Sequence, residues 1–252
     1  PEKPTKGDRR MADISQNRAA AGTGKLEVEE VLFDFEGTLV DFQWQLKPAV
    51  DECLAVLEAI GFQRDWYGPA PNYATIYNDT LRFCRDGEGQ AESYRVMDII
   101  DAIYDKYDAD AQTRWSLYPD TLETLSELRH KGFRMGLVSN IGKTSLRTAM
   151  DRLDLTDRLA VIISRNDVEQ LKPDARGLIQ AAAALTVLPA HTIFIGDSRK
   201  DAIAARRAGM LAGFITGGED SRQAMREAPA DIEISCLGEL PDRLIRMTCA
   251  DT

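Results

Sequence analysis

Histidine and cysteine are scarce in this chain: 252 residues carry two of the first and four of the second. Cys53, Cys84, Cys236 and Cys249 stand far apart with no CxxC pair, which excludes a thiolate zinc site. His130 and His191 alone leave little for an imidazole-based one. Scattered single cysteines most often fill space as small apolar groups, so reduced thiols and a cytoplasmic protein are expected. Positive charge is also short. Lysine and arginine number 31 against 41 acids, a formal net charge of −10, and the pI is about 4.8. That balance argues against nucleic-acid binding, which needs clustered positive charge. No apolar run is long enough to cross a bilayer and no signal peptide is visible, so no membrane association is expected. "GTGK" at 22–25 has neither the glycine spacing nor the following hydroxyl residue of a phosphate loop.

What is present is a hydrophobic fraction of 44%, enough for one sizeable core and a smaller second one. Residues 1–26 are polar, small and rich in breakers, and read as a disordered tail. From about 42 to 116 only helical spacing appears. Leu46, Val50, Cys53, Leu57 and Ile60 would line one helix, Tyr73, Ile76, Tyr77 and Leu81 a second, and Met97, Ile100, Tyr104 and Tyr107 a third. "CRDGEGQ" reads as a loop between the last two. From Tyr118 onward helix and strand alternate, with strands at "FRMGLVSN", "AVIIS", "TIFIGD", "LAGFIT" and "IEIS". Such alternation predicts a doubly wound, Rossmann-like α/β core with a parallel sheet covered on both faces. The predicted organisation is a core of 27–41 and 117–252 interrupted by a helical cap over 42–116.

The stretch "VLFDFEGTLVD" at 31–41 raises the chemical question. An apolar run suited to a fully buried strand ends in Asp34, with Glu36 two residues on, and a buried carboxylate must be paired, bind a metal or open onto a crevice. Open α/β sheets bind ligands beyond the carboxyl ends of their strands. Polar groups stand at the ends of other predicted strands too: Ser139 and Asn140, then Lys172 in "QLKPD", then Asp197 with Asp201 beyond it. Each has an ordinary alternative, since Ser139 and Asp197 could cap helices, Lys172 could be solvated, and Asp201 could complement a helix dipole. Their occurrence at four strand ends of one sheet favours a shared site.

Together "DFEGTLVD", "VSN", "LKPD" and "GDSRKD" resemble the four motifs of the haloacid dehalogenase superfamily. The helical insertion after the first motif is similar to the cap of its phosphoglycolate phosphatase-like and dehalogenase-like branch. The resemblance implies a magnesium-dependent phosphatase acting on a small phosphorylated metabolite. Asp34 would be the nucleophile, forming an aspartyl-phosphate, and Glu36 the general acid and base. Ser139, Asn140 and Lys172 would bind substrate, Ser139 holding a phosphoryl oxygen and Lys172 neutralising charge. Asp34, Asp197, Asp201 and the backbone carbonyl of Glu36 would form the Mg2+ site. Glutamate at position 36 departs from the usual aspartate while keeping the carboxyl group. Lys47, Arg82 and Arg85 are the cap's candidates for substrate recognition, although the solvated surface is the commoner place for each. A 2-haloacid dehalogenase, a sugar phosphomutase and a non-catalytic binding protein of the same fold are the competing readings.

Overall fold

The structure is a computed structural model that describes residues 28–87 and 90–249. The predicted tail, "GTGK" and residues 88–89 of the predicted loop lie outside them. Six strands form one parallel sheet: β1 (Glu30–Phe33), β2 (Arg134–Val138), β3 (Val161–Ile163), β4 (Thr192–Gly196), β5 (Leu211–Ile215) and β6 (Ile232–Ile234). Their order is β3-β2-β1-β4-β5-β6. The chain steps outward from β1 through β2 to β3, then returns to lay β4 on the other side of β1. The strand order therefore reverses between β1 and β4, the topological switch point where such sheets open a crevice. Phe33 pairs with Leu137 on one side and Ile195 on the other, which brings three strand ends to that crevice.

Both sheet faces are covered, as the continuous apolar strands require. Helices α6 (Arg176–Leu185) and α7 (Arg199–Ala208) set Leu178, Ala181, Ala204 and Ala205 against Leu32 and Phe194. On the opposite face, Val31, Phe33, Ile193 and Ile195 share a cluster with Leu125 and Leu128 of α4 (Thr121–His130), Leu146 and Met150 of α5 (Lys143–Arg152), and Leu244 of α8 (Leu240–Cys249). Val31 and Phe33 go one way and Leu32 the other because side chains alternate along a strand. The small alanines of α6 and α7 let those helices lie close on the sheet.

Three helices, α1 (Leu46–Ala59), α2 (Tyr73–Gly87) and α3 (Gln90–Gln112), intervene between β1 and α4. Cys53, Leu57, Tyr77, Met97, Ile100 and Tyr104 pack in the same apolar cluster as the first sheet face. Two sequence expectations shift. Ile60 lies past the end of α1 and is 45% exposed, because the helix stops one residue before it. The predicted loop "CRDGEGQ" begins inside α2, which runs on to Gly87.

Candidate active site

Asp34 follows β1 directly, and its amide donates to the Ile195 carbonyl at 2.8 Å, continuing the strand pairing by one residue. Asp197 directly follows β4 and Asp201 lies in the first turn of α7. One carboxylate oxygen from each of Asp34, Asp197 and Asp201 lies within 4.8 Å of the others. Lys172 Nζ, 4% exposed, sits at 2.7 Å from Asp34 Oδ1 and 2.8 Å from Asp201 Oδ1. It also donates to the Val138 carbonyl at the end of β2 at 3.0 Å. Thus the ends of β1 and β2 and the first turn of α7 meet through one ammonium group.

The electrostatics follow from three acids facing one lysine in a buried space. Burial pushes the Asp34 carboxyl up to about 6, against the pull of Lys172 and with the charge of Asp201 adding to the rise. Asp197 is raised well above the usual carboxylate range by burial, then by the charges of Asp201 and Asp34. Burial acts on Asp201 the same way, but Lys172 and the Ser198 hydrogen bonds outweigh it and leave its carboxyl below the ordinary range. Lys172 is raised, since the attraction of Asp201 and Asp34 exceeds the cost of burying it. Such a set has surplus negative charge and hard oxygen donors, which suits a divalent cation of the magnesium type. Oδ1 of Asp201 is buried and faces the Lys172 ammonium at 2.8 Å. Asp197 is also given room: a Cβ placed on Gly37 or on Gly218 would come within 2.5 Å of Asp197 Cγ.

Glu36 is 6% exposed and stands apart from the three aspartates. β1 has already ended, and Glu36 lies in a turn where it bridges to Val40. Its Oε1 accepts from the Gln43 amide (2.6 Å), the Trp44 amide (2.6 Å) and the Trp115 indole Nε1 (2.7 Å). Burial nonetheless pushes its carboxyl up to about 7, with Asp34 adding a smaller rise against those three donors. A carboxyl group so balanced can exist in either protonation state near neutral pH. The side chain is therefore anchored outside the aspartate cluster.

Ser139 and Asn140 follow β2. Ser139 Oγ accepts from the Ile141 amide at 3.3 Å. Asn140 Oδ1 accepts from the Lys172 amide at 3.0 Å, while its Nδ2 donates to the Lys172 carbonyl (3.3 Å) and the Tyr73 hydroxyl (3.1 Å). Asn140 thus grips the backbone that carries the lysine. Asn78 of α2 does the same one residue earlier, exchanging hydrogen bonds of 2.8 and 2.9 Å with Leu171. Lys47, Arg82 and Arg85 do not enter the site. They lie on the surface, in ion pairs with Asp51, Asp79 and Glu169.

Four participants were not foreseen from sequence. Trp115 and the 43–44 backbone anchor Glu36, and Asn78 steadies Leu171. Arg165 is the fourth, 1% exposed and ion-paired with Asp101, Asp105 and Asp108 of α3. The one legible signal was the recurrence of those aspartates on a single helix face at spacings of four and three.

The profile of haloacid dehalogenase-like hydrolases matches residues 31–214, and the chain belongs to that family. Phosphoglycolate phosphatase 1 of Pseudomonas aeruginosa is 28% identical over 225 residues, covering 88% of this chain and 79% of that protein. The phosphoglycolate phosphatase of Escherichia coli K12 is 28% identical over 234 residues, covering 85% and 91%. A haloacid dehalogenase-like hydrolase from Bacteroides fragilis superposes with a TM-score of 0.59 at 28% identity, over 85% of this chain and 100% of that one. These similarities set the protein on the phosphoglycolate phosphatase-like branch.

Proposed function

We propose that this enzyme is a magnesium-dependent phosphatase that hydrolyses a small phosphate monoester through an aspartyl-phosphate on Asp34. The observation that supports it best is the convergence of Asp34, Asp197 and Asp201 on one point, with Lys172 between two of them. A bound Mg2+ would supply charge neutralisation and orientation for the phosphoryl oxygens, held by those three carboxylates and the carbonyl of residue 36.

The chain's own residues carry the remaining work. An oxygen of Asp34 attacks phosphorus while the bond to the leaving alcohol breaks. Lys172 holds Asp34 in place and offsets negative charge as it moves onto the phosphoryl group. Ser139 donates its hydroxyl to a phosphoryl oxygen, and Asn140 keeps the Lys172 backbone in register. Glu36, protonated, gives its proton to the leaving oxygen. Then, ionised, it takes one from the water that cleaves the aspartyl-phosphate. The donors on Glu36 come from residues 43–44 and from 115, the two places where the chain leaves and re-enters the α/β core. We read 42–116 as a cap that closes over the substrate and excludes bulk water, which favours small molecules. The thiols of Cys53 and Cys236 suit a cytoplasmic setting.

Phosphate release from a panel of metabolite esters tests the reading. Activity should require magnesium, vanish in EDTA and return when the metal is restored. Chloride release from 2-chloropropionate, undiminished in chelator, would replace the phosphatase with a dehalogenase.

A further inference from the structure

Beside Glu36 the structure encloses a cavity of about 20 Å3, room for roughly one water. Trp44, Tyr73 and Tyr104 turn rings toward it, and Asp108, Glu219 and Arg165 contribute charge. Among the described residues that line it, Arg165 is the sole cation. That cation is already engaged, with Asp101 Oδ1 at 2.9 Å, Asp108 Oδ2 at 2.8 Å and Asp105 also in contact. Three carboxylates against one guanidinium leave surplus negative charge.

The arrangement is built into the fold and is not a chance surface pairing. Asp108 is 1% exposed and also accepts from the Trp44 indole and the Gly142 amide, each at 2.8 Å. Glu219 on the same wall is matched by Lys200, whose ammonium lies 5.2 Å from the centre of the Tyr73 ring. A carboxylate brought in on a leaving group would meet Asp108 and Glu219, with Arg165 and Lys200 both already ion-paired. Like charges at short range in a water-poor site repel strongly. An ammonium would find carboxylates and aromatic faces, and a polyol would find acceptors.

We propose that the leaving alcohol bears no carboxylate: the site takes phosphate monoesters of neutral or amine-bearing alcohols and discriminates against phosphorylated hydroxy acids. This rests on the phosphatase reading above, and it separates the protein from what its phosphoglycolate-named relatives act on.

The test measures kcat/KM by phosphate release, using the full chain with magnesium, for phosphoethanolamine, glycerol phosphate and phosphoglycolate. Either of the first two should exceed phosphoglycolate at least tenfold. Phosphoglycolate equal to or better than both overturns the proposal and leaves the phosphatase intact. Release from none of them, nor from a wider ester panel, refutes the phosphatase reading and the proposal with it. Asp105→Asn supplies the second arm, because Asp105 is 56% exposed and its replacement leaves the buried pairs in place. Freeing part of the Arg165 charge should raise kcat/KM for phosphoglycolate relative to phosphoethanolamine by about two- to fivefold. An unchanged ratio in that variant also overturns the proposal.

Discussion

Adding one methyl group on either side of Asp197 should disable the enzyme without unfolding it. At Gly37 the new Cβ would lie 2.5 Å from Asp197 Cγ, whereas ordinary contact begins at 3.4 Å. Asp197 must therefore retreat by about an ångström, and a displacement of that size in a reacting site costs about 10²-fold in rate. Gly37 also has φ +77°, so Gly37→Ala adds about 1–2 kcal/mol of backbone strain. Gly218→Ala isolates the steric effect. Its Cβ would meet Asp197 Cγ at the same 2.5 Å, from a backbone outside the left-handed region. Gly209→Ala isolates the strain, because that residue caps α7 at φ +76° with nothing within 4 Å of its Cβ. Turnover against magnesium concentration, together with thermal melting, separates the three. Gly37→Ala and Gly218→Ala should both lose about 10²-fold and need more metal, while Gly209→Ala should lose stability alone. Wild-type turnover and metal demand in Gly218→Ala would refute the placement of Asp197 as an ion ligand.

Three further outcomes are expected. Glu36→Gln should slow turnover by about 10²–10⁴-fold, the usual worth of general acid–base assistance, and unchanged steady-state rates would remove that role. Lys172→Met leaves Asp34 and Asp201 facing each other without their shared cation. It should cost about 3–5 kcal/mol in urea melts along with activity, and a wild-type midpoint would contradict the pairing. Burial pushes the Cys53 thiol up to about 12, so it stays protonated at pH 8 and far from a reactive thiolate. Peptide mass mapping after brief iodoacetamide treatment at that pH should find Cys236, which is exposed, modified and Cys53 untouched. Rapid labelling of Cys53 would count against its burial.

The strands were legible because buried parallel strands write themselves as short apolar runs: "VLF", "GLV", "VII" and "TIFI" all lie in β-strands. Asp34, Lys172, Asp197 and Asp201 were legible for a related reason. Asp34 and Asp197 directly follow such runs, while Lys172 and Asp201 were read from the short motifs further along. Glu36 was legible as a carboxyl but not in its setting. It stands two residues past Asp34 in the chain, and the strand stops at Phe33 before either of them. The surface positions of Lys47, Arg82 and Arg85 are the ordinary place for long charged side chains.

By itself the sequence determined the composition of the candidate site and the strands around it, because motif chemistry and hydrophobic period are local properties. Tertiary structure alone decided how those groups are held and what stands around them. Trp115 reaches Glu36 across 79 positions of chain, and Arg165 Nη1 reaches Asp108 across 57. Local pattern does not say which distant residues complete such contacts. They exist only once packing of the helices against the sheet has brought the partners within hydrogen-bond distance and removed the water that would otherwise screen them.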